Sequence, residues 1–168
     1  MGALANVAGL ASPVPFLEVD LALWHKVLDV NLTGTFLMCQ AFLPQMIDHG
    51  YGRIVNMSSV SAQQGGGVFS KTPYSAAKAG IIGLTRDLAA QWTGRKGIRV
   101  NCLAPGYFPS EMTDELPASE LEYVKMIAPA GRVGEPGELA AALVFLASDA
   151  SSYVTGITLP VDGGMTMP

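Results

Sequence analysis

Charge is scarce in this sequence. Of 168 residues only 14% are charged, with 10 basic against 14 acidic side chains and a formal net charge of −4. There is no basic run, which argues against a nucleic-acid or anionic-membrane partner. Cysteine is nearly absent. Cys39 and Cys102 lie inside apolar runs without metal-ligand spacing, so both read as buried free thiols in a reducing, cytoplasmic setting, and no metal site is expected. No apolar run reaches the length of a membrane span, and residues 1–17 carry no basic n-region and are interrupted by Gly9, Pro13 and Pro15. Internal repeats and low-complexity linkers are also missing. His25 and His49 read as surface helix residues.

What is abundant is apolar side chain, at 49%, and glycine, with 19 residues. That balance fits one α/β domain over residues 1–168 with buried parallel strands. Short apolar strands are expected at 3–7, 53–57, 98–104 and 157–161. A long helix follows an Asp20 N-cap and runs to about Asp48, with Pro44 kinking its last turns and Gly50 ending it. A second helix carries Tyr74 and runs to about Thr93, where Ala76, Ala77, Ala79, Gly80 and Gly83 permit close helix approach. A third covers Gly137 to Ser148. The β-α-β-α-β-α-β order makes a three-layer parallel sheet with helices on both faces.

In such sheets ligands bind beyond the carboxyl ends of the strands. Here those ends read Asn6-Val7-Ala8-Gly9, Ser58-Ser59 and Ala104-Pro105-Gly106. They face the start of the helix bearing Tyr74-Ser75-Ala76-Ala77-Lys78. A phenol and an ammonium at i and i+4 share one helix face. A free Tyr, with a pKa of about 10, is a poor acid or base at neutral pH. A neighbouring Lys⁺ favours the phenolate and is expected to lower that pKa. The pair is thus a candidate general acid/base, against the alternative of a solvated helix face.

These stretches, in this order, resemble the short-chain dehydrogenase/reductase family. Leu4 to Gly9 is similar to its Asn-Asn-Ala-Gly segment, with Val7 for the second Asn. Asp29-Val30-Asn31-Leu32-Thr33-Gly34 resembles the helix carrying its active-site Asn. Arg53 to Ser59 resembles the strand leading to its catalytic Ser, and Tyr74-x-x-x-Lys78 its best-known motif. Ile98 to Gly106 and Tyr153 to Gly164 resemble its last two strands.

The resemblance implies the C-terminal part of a Rossmann-type fold and a hydride transfer between NAD or NADP and an alcohol/carbonyl substrate. Tyr74 would exchange the hydroxyl proton. Lys78 would lower the Tyr74 pKa and bond the nicotinamide ribose, a Ser would bind the substrate oxygen, and Asn31 would hold a water leading from Lys78 to solvent. Ser59 matches by its place after the strand. Ser61 matches by interval, with twelve residues between it and Tyr74 against fourteen for Ser59. Ser59 is preferred, with Ser58 bonding backbone. The cofactor would also meet Asn6, Ala8, Gly9, Pro105, Gly106, Tyr107 and Ser110. Residues 107–130 resemble a substrate loop, closing with Met112, Leu116, Tyr123, Met126 and Ile127, while Glu111, Asp114 and Glu115 form a solvated face.

The family's Thr-Gly-x-x-x-Gly-x-Gly turn has no counterpart, and Gly65-Gly66-Gly67 does not open into a helix in the phosphate-binding manner. The expectation is therefore a truncated chain with an open edge at strand 3–7, weakened cofactor binding and a tendency to associate as a homo-oligomer, dimer or tetramer, through the long helices and the C-terminal helix and strand. The alternative is a truncated, non-catalytic paralogue serving as a binding or assembly module. A Ser-Lys hydrolase using Ser59 and Lys78 lacks the Gly-x-Ser-x-Gly elbow.

Overall fold

The computed structural model describes residues 2–65, 70–110 and 117–167. Four strands, β1 (Ala3–Asn6), β2 (Gly52–Met57), β3 (Ile98–Pro105) and β4 (Thr158–Val161), lie in the order β1-β2-β3-β4, every neighbouring pair parallel. The helices are α1 (Leu21–Leu28), α2 (Gly34–His49), the short α3 (Ser61–Gln64), α4 (Thr72–Lys96), α5 (Ala118–Ile127) and α6 (Pro136–Ala147).

Side-chain alternation on the strands builds the two interfaces. Leu4, Ile54, Ile98 and Val100 point to one face and pack with Cys39, Leu43 and Met46 of α2 and Ala89 of α4. Val55, Met57 and Leu103 point to the other and meet Leu146 of α6. The expected three layers follow. Coverage thins at β1, where Ala3 and Ala5 are exposed. Both cysteines are buried and free, and His25 and His49 are exposed.

The first long helix departs from expectation in one place. It passes through Pro44 and ends at Gly50, whose φ of 63° is the left-handed conformation glycine adopts without strain. Between α1 and α2 it widens into a π turn at Asp29–Thr33. Asn31 sits in that turn, fully buried, and its main-chain carbonyl accepts the Thr35 hydroxyl at 2.7 Å. Such widened turns frequently aim a side chain at a site. The close approach foreseen for small residues on α4 occurs at Gly80, where a Cβ would stand 2.8 Å from Leu32 Cδ2; Gly83 faces open space.

Among the described residues, no helix is long and apolar enough to cross a membrane, and no cluster of His, Cys, Asp or Glu has the makings of a metal site.

Candidate active site

The carboxyl ends of β1, β2 and β3 and the first turns of α4 converge on one crevice. Lys78 reaches it from inside. Its side chain is buried, and the ammonium donates to the Met57 carbonyl at 2.7 Å and lies 5.5 Å from the centre of the Tyr74 ring. Burial, slightly opposed by the Cys102 thiol, lowers its pKa to about 8. At neutral pH the group is still mostly a cation.

Tyr74 is half-buried at the crevice wall, and its phenol hydrogen-bonds the Ser59 hydroxyl. Its pKa is raised above the usual 10, because desolvation outweighs the Ser59 bond. This corrects the sequence expectation that Lys78 lowers it. In this structure the Lys78 ammonium is turned to the Met57 carbonyl, and burial of the phenol decides the direction. Tyr74 is therefore a neutral phenol at physiological pH.

The three serines after β2 separate by role. Ser58 donates to the main-chain carbonyl of Lys78 at 2.8 Å, a bond to backbone as expected. Ser59 Oγ accepts the Ser61 N–H at 3.2 Å and adjoins the Tyr74 phenol. Ser61 is buried at the start of α3. Ser59 is thus the serine whose hydroxyl is joined to Tyr74.

Asn31 enters from the π turn. Its Nδ2 donates to the carbonyls of Leu10 and Val27, both at 2.8 Å, and its Oδ1 accepts the Leu10 N–H at 3.2 Å. The amide thereby fixes the backbone that leaves β1. Gly9 passes directly over it. A Cβ there would lie 3.0 Å from Asn31 Oδ1 and 3.4 Å from Lys78 Nζ, so bare backbone borders the ammonium. Ala8 and Gly9 are exposed.

Asn6 is placed differently from its neighbours. Its amide points into the sheet, donating to Asn56 Oδ1 at 2.8 Å and to Cys39 Sγ at 3.4 Å. Asn56 continues the network to the Thr85 hydroxyl at 3.0 Å. The side chain of Asn6 is a strut between strands and helices, and only the chain after it, from Val7, borders the crevice. Apolar neighbours in sequence gave no sign of this buried polar chain.

Beyond β3, Gly106 N donates to the Val161 carbonyl at 2.9 Å. Its missing side chain lets the Asp162 backbone pass where a Cβ would be 2.8 Å away. Tyr107 follows, half-buried, with its phenol pushed up to about 12 by burial and by the nearby Glu120. Pro105 closes β3, and Ser110 is exposed. A pocket between Tyr107, Phe108, Val124, Val161 and Met165 opens beside these turns.

The expected loop residues divide. Met112 and Leu116, the acidic Glu111, Asp114 and Glu115, and the glycines Gly66 and Gly67 lie outside the described residues. On α5 Val124 is buried, as is Ala128 just past the helix end, while Met126 is 75% exposed and Tyr123 37%. The helical period turns Met126 to the outer side, which corrects its expected role in closing over a substrate.

The family model described as Enoyl-(Acyl carrier protein) reductase matches residues 1–166. The sequence is 44% identical over 164 residues to an uncharacterized short-chain type dehydrogenase/reductase of Sinorhizobium fredii, covering 96% of this chain and 64% of that protein. It is 47% identical over 167 residues to galactitol 2-dehydrogenase (L-tagatose-forming) of Cereibacter sphaeroides, covering 98% of this chain and 65% of that one. The chain thus spans just under two thirds of the length of these curated relatives. The crystal structure of a gluconate 5-dehydrogenase from Burkholderia cenocepacia, in complex with NADP and tartrate, superposes with a TM-score of 0.93 at 38% identity, covering 100% of this chain and 66% of that one.

Proposed function

The chain belongs to the short-chain dehydrogenase/reductase family, and from that premise we propose that it carries the proton-transfer side of an NAD- or NADP-dependent interconversion of an alcohol and a carbonyl. The convergence of the Ser59 hydroxyl, the Tyr74 phenol and the buried Lys78 ammonium carries this reading.

The nicotinamide cofactor, when bound, supplies the hydride. The residues fit its nicotinamide-ribose end: at Gly9 the absent Cβ leaves open backbone against Lys78 Nζ, beside hydrogen-bonding groups at Gly106, Tyr107 and Ser110. In the reductive direction Tyr74 gives its phenolic proton to the carbonyl oxygen as that oxygen gains negative charge. Ser59 Oγ holds the same oxygen. The Lys78 cation stabilises the phenolate that remains. Asn31 holds Leu10, and through it Gly9, in place beside Lys78. Tyr74 is protonated at physiological pH, the form from which a donor starts. Self-association is part of the proposal, supported by the exposed Val30, Phe36, Leu37 and Met38 around α2. Sedimentation velocity tests it.

The test is NADH or NADPH oxidation with a panel of sugar, polyol, acyl-thioester and steroid carbonyls. Tyr74→Phe is expected to lose about a hundredfold or more in kcat while keeping its circular-dichroism spectrum. Unchanged turnover would overturn the reading. Ser59→Ala is expected to follow Tyr74→Phe, and Ser61→Ala is not.

A further inference from the structure

Three consecutive residues at the end of β2 hold one turn of α4. The Met57 carbonyl accepts the Lys78 ammonium at 2.7 Å, the Ser58 hydroxyl donates to the Lys78 main-chain carbonyl at 2.8 Å, and the Ser59 hydroxyl bonds the Tyr74 phenol. The first and third bonds engage the groups of the proton chemistry above. The second engages backbone alone, yet Ser58 is buried between sheet and helix.

The helix does not need this bond. α4 runs unbroken from Thr72 to Lys96, so the Lys78 carbonyl already has the helix's own donor four residues on. What the extra bond adds is place. The Ser58 N–H donates to the Leu103 carbonyl of β3 at 2.7 Å, so one residue ties α4 to β2 and β3 at the level of Lys78. Tyr74 lies one turn earlier on the same helix face, and a helix free to slide at Lys78 would carry the phenol away from Ser59. Among titratable groups, the Cys102 thiol of β3 and the Tyr74 ring face Lys78. Burial raises the pKa of both. Both are therefore neutral at pH 7, and neither fixes the ammonium by charge.

Resting on the reaction proposed above, we infer that Ser58 is a positioning residue, which seats α4 so that the Lys78 ammonium and the Tyr74 phenol act together on one reacting oxygen. Ser58 works through the Lys78 main chain. Without its hydroxyl the carbonyl keeps its helical partner, so the fold loses little, while the acid/base pair loses its register. Small displacements of reacting groups are costly to rate, and that difference separates positioning from plain stabilisation.

NMR of protein labelled with 13C-tyrosine and 13C-lysine tests this without cofactor or turnover. The Tyr74 and Lys78 signals are assigned by their loss in Tyr74→Phe and Lys78→Met. In Ser58→Ala both are expected to shift, and the Lys78 titration midpoint to rise from about 8 by roughly one pH unit as water reaches the loosened ammonium. The urea midpoint should fall by only about 0.5 M. In turnover, Ser58→Ala should lose about tenfold in kcat at unchanged KM. Unmoved Tyr74 and Lys78 signals in a folded Ser58→Ala overturn the assignment, and so does loss of cooperative unfolding, which would make Ser58 a structural residue. Turnover lost in Tyr74→Phe but kept in Ser58→Ala overturns the positioning role alone. Turnover unchanged in Tyr74→Phe overturns the reaction instead, and the NMR comparison does not depend on it.

Discussion

The Ser58 hydroxyl donates to the main-chain carbonyl of Lys78 at 2.8 Å, and the Lys78 ammonium donates back to the carbonyl of Met57 at 2.7 Å. Adjacent residues at the end of β2 and one residue of α4 thus hold each other by two bonds. The clamp fixes the height of α4 against the sheet, and with it the position of Tyr74 one turn away. It also explains how a lysine comes to be buried: its charge is solvated by a carbonyl at a strand end.

That burial makes stability depend on pH in the alkaline range. The folded Lys78 keeps its proton to about pH 8, the unfolded chain to the ordinary 10.5. Between those values the unfolded state binds more protons, so stability rises with pH across the window, and below it the cost is constant at roughly 3 kcal/mol. In Lys78→Met this rise should vanish, which urea titrations at pH 7, 8, 9 and 10 would read. Parallel pH dependences for variant and parent would refute the argument.

Gly106→Ala should destabilise the chain by about 1–3 kcal/mol, the usual cost of overpacking. The new Cβ meets Asp162 Cα at 2.8 Å, Asp162 Cβ at 3.1 Å and the Asp162 carbonyl at 3.3 Å. Asp162 cannot easily withdraw. Its carboxylate accepts the Gly164 and Thr166 N–H groups, both at 2.9 Å, and the Thr166 hydroxyl at 2.6 Å. A lowered thermal midpoint is expected, and an unchanged one counts against this close approach.

Asn56→Leu keeps the volume of a fully buried side chain and removes its amide. Asn6 Nδ2 then loses its 2.8 Å acceptor and the Thr85 hydroxyl its 3.0 Å donor. Buried polar groups deprived of a partner cost about 1–3 kcal/mol each, so a loss of roughly 2–4 kcal/mol is expected in the urea midpoint. If Asn56→Leu is as stable as the parent, the network is not a strut.

The sequence by itself determined the alternation of strands and helices, because apolar runs bounded by Gly and Pro leave few other solutions. It determined that Tyr74 and Lys78 share a helix face, since that follows from helical period, and that Ser59 and the Pro105-Gly106 turn lie at strand ends. The tertiary structure decided which way each group acts. It raised the Tyr74 pKa, because burial is a property of the packed site and not of the Lys78 spacing. It joined Ser59 rather than Ser61 to Tyr74, because α3 takes Ser61 into its own first turn. It turned Asn6 into the sheet, because the even positions of β1 face α2. Local periodicity fixes which residues can meet; the dielectric and the partners they meet in exist only once distant segments pack together.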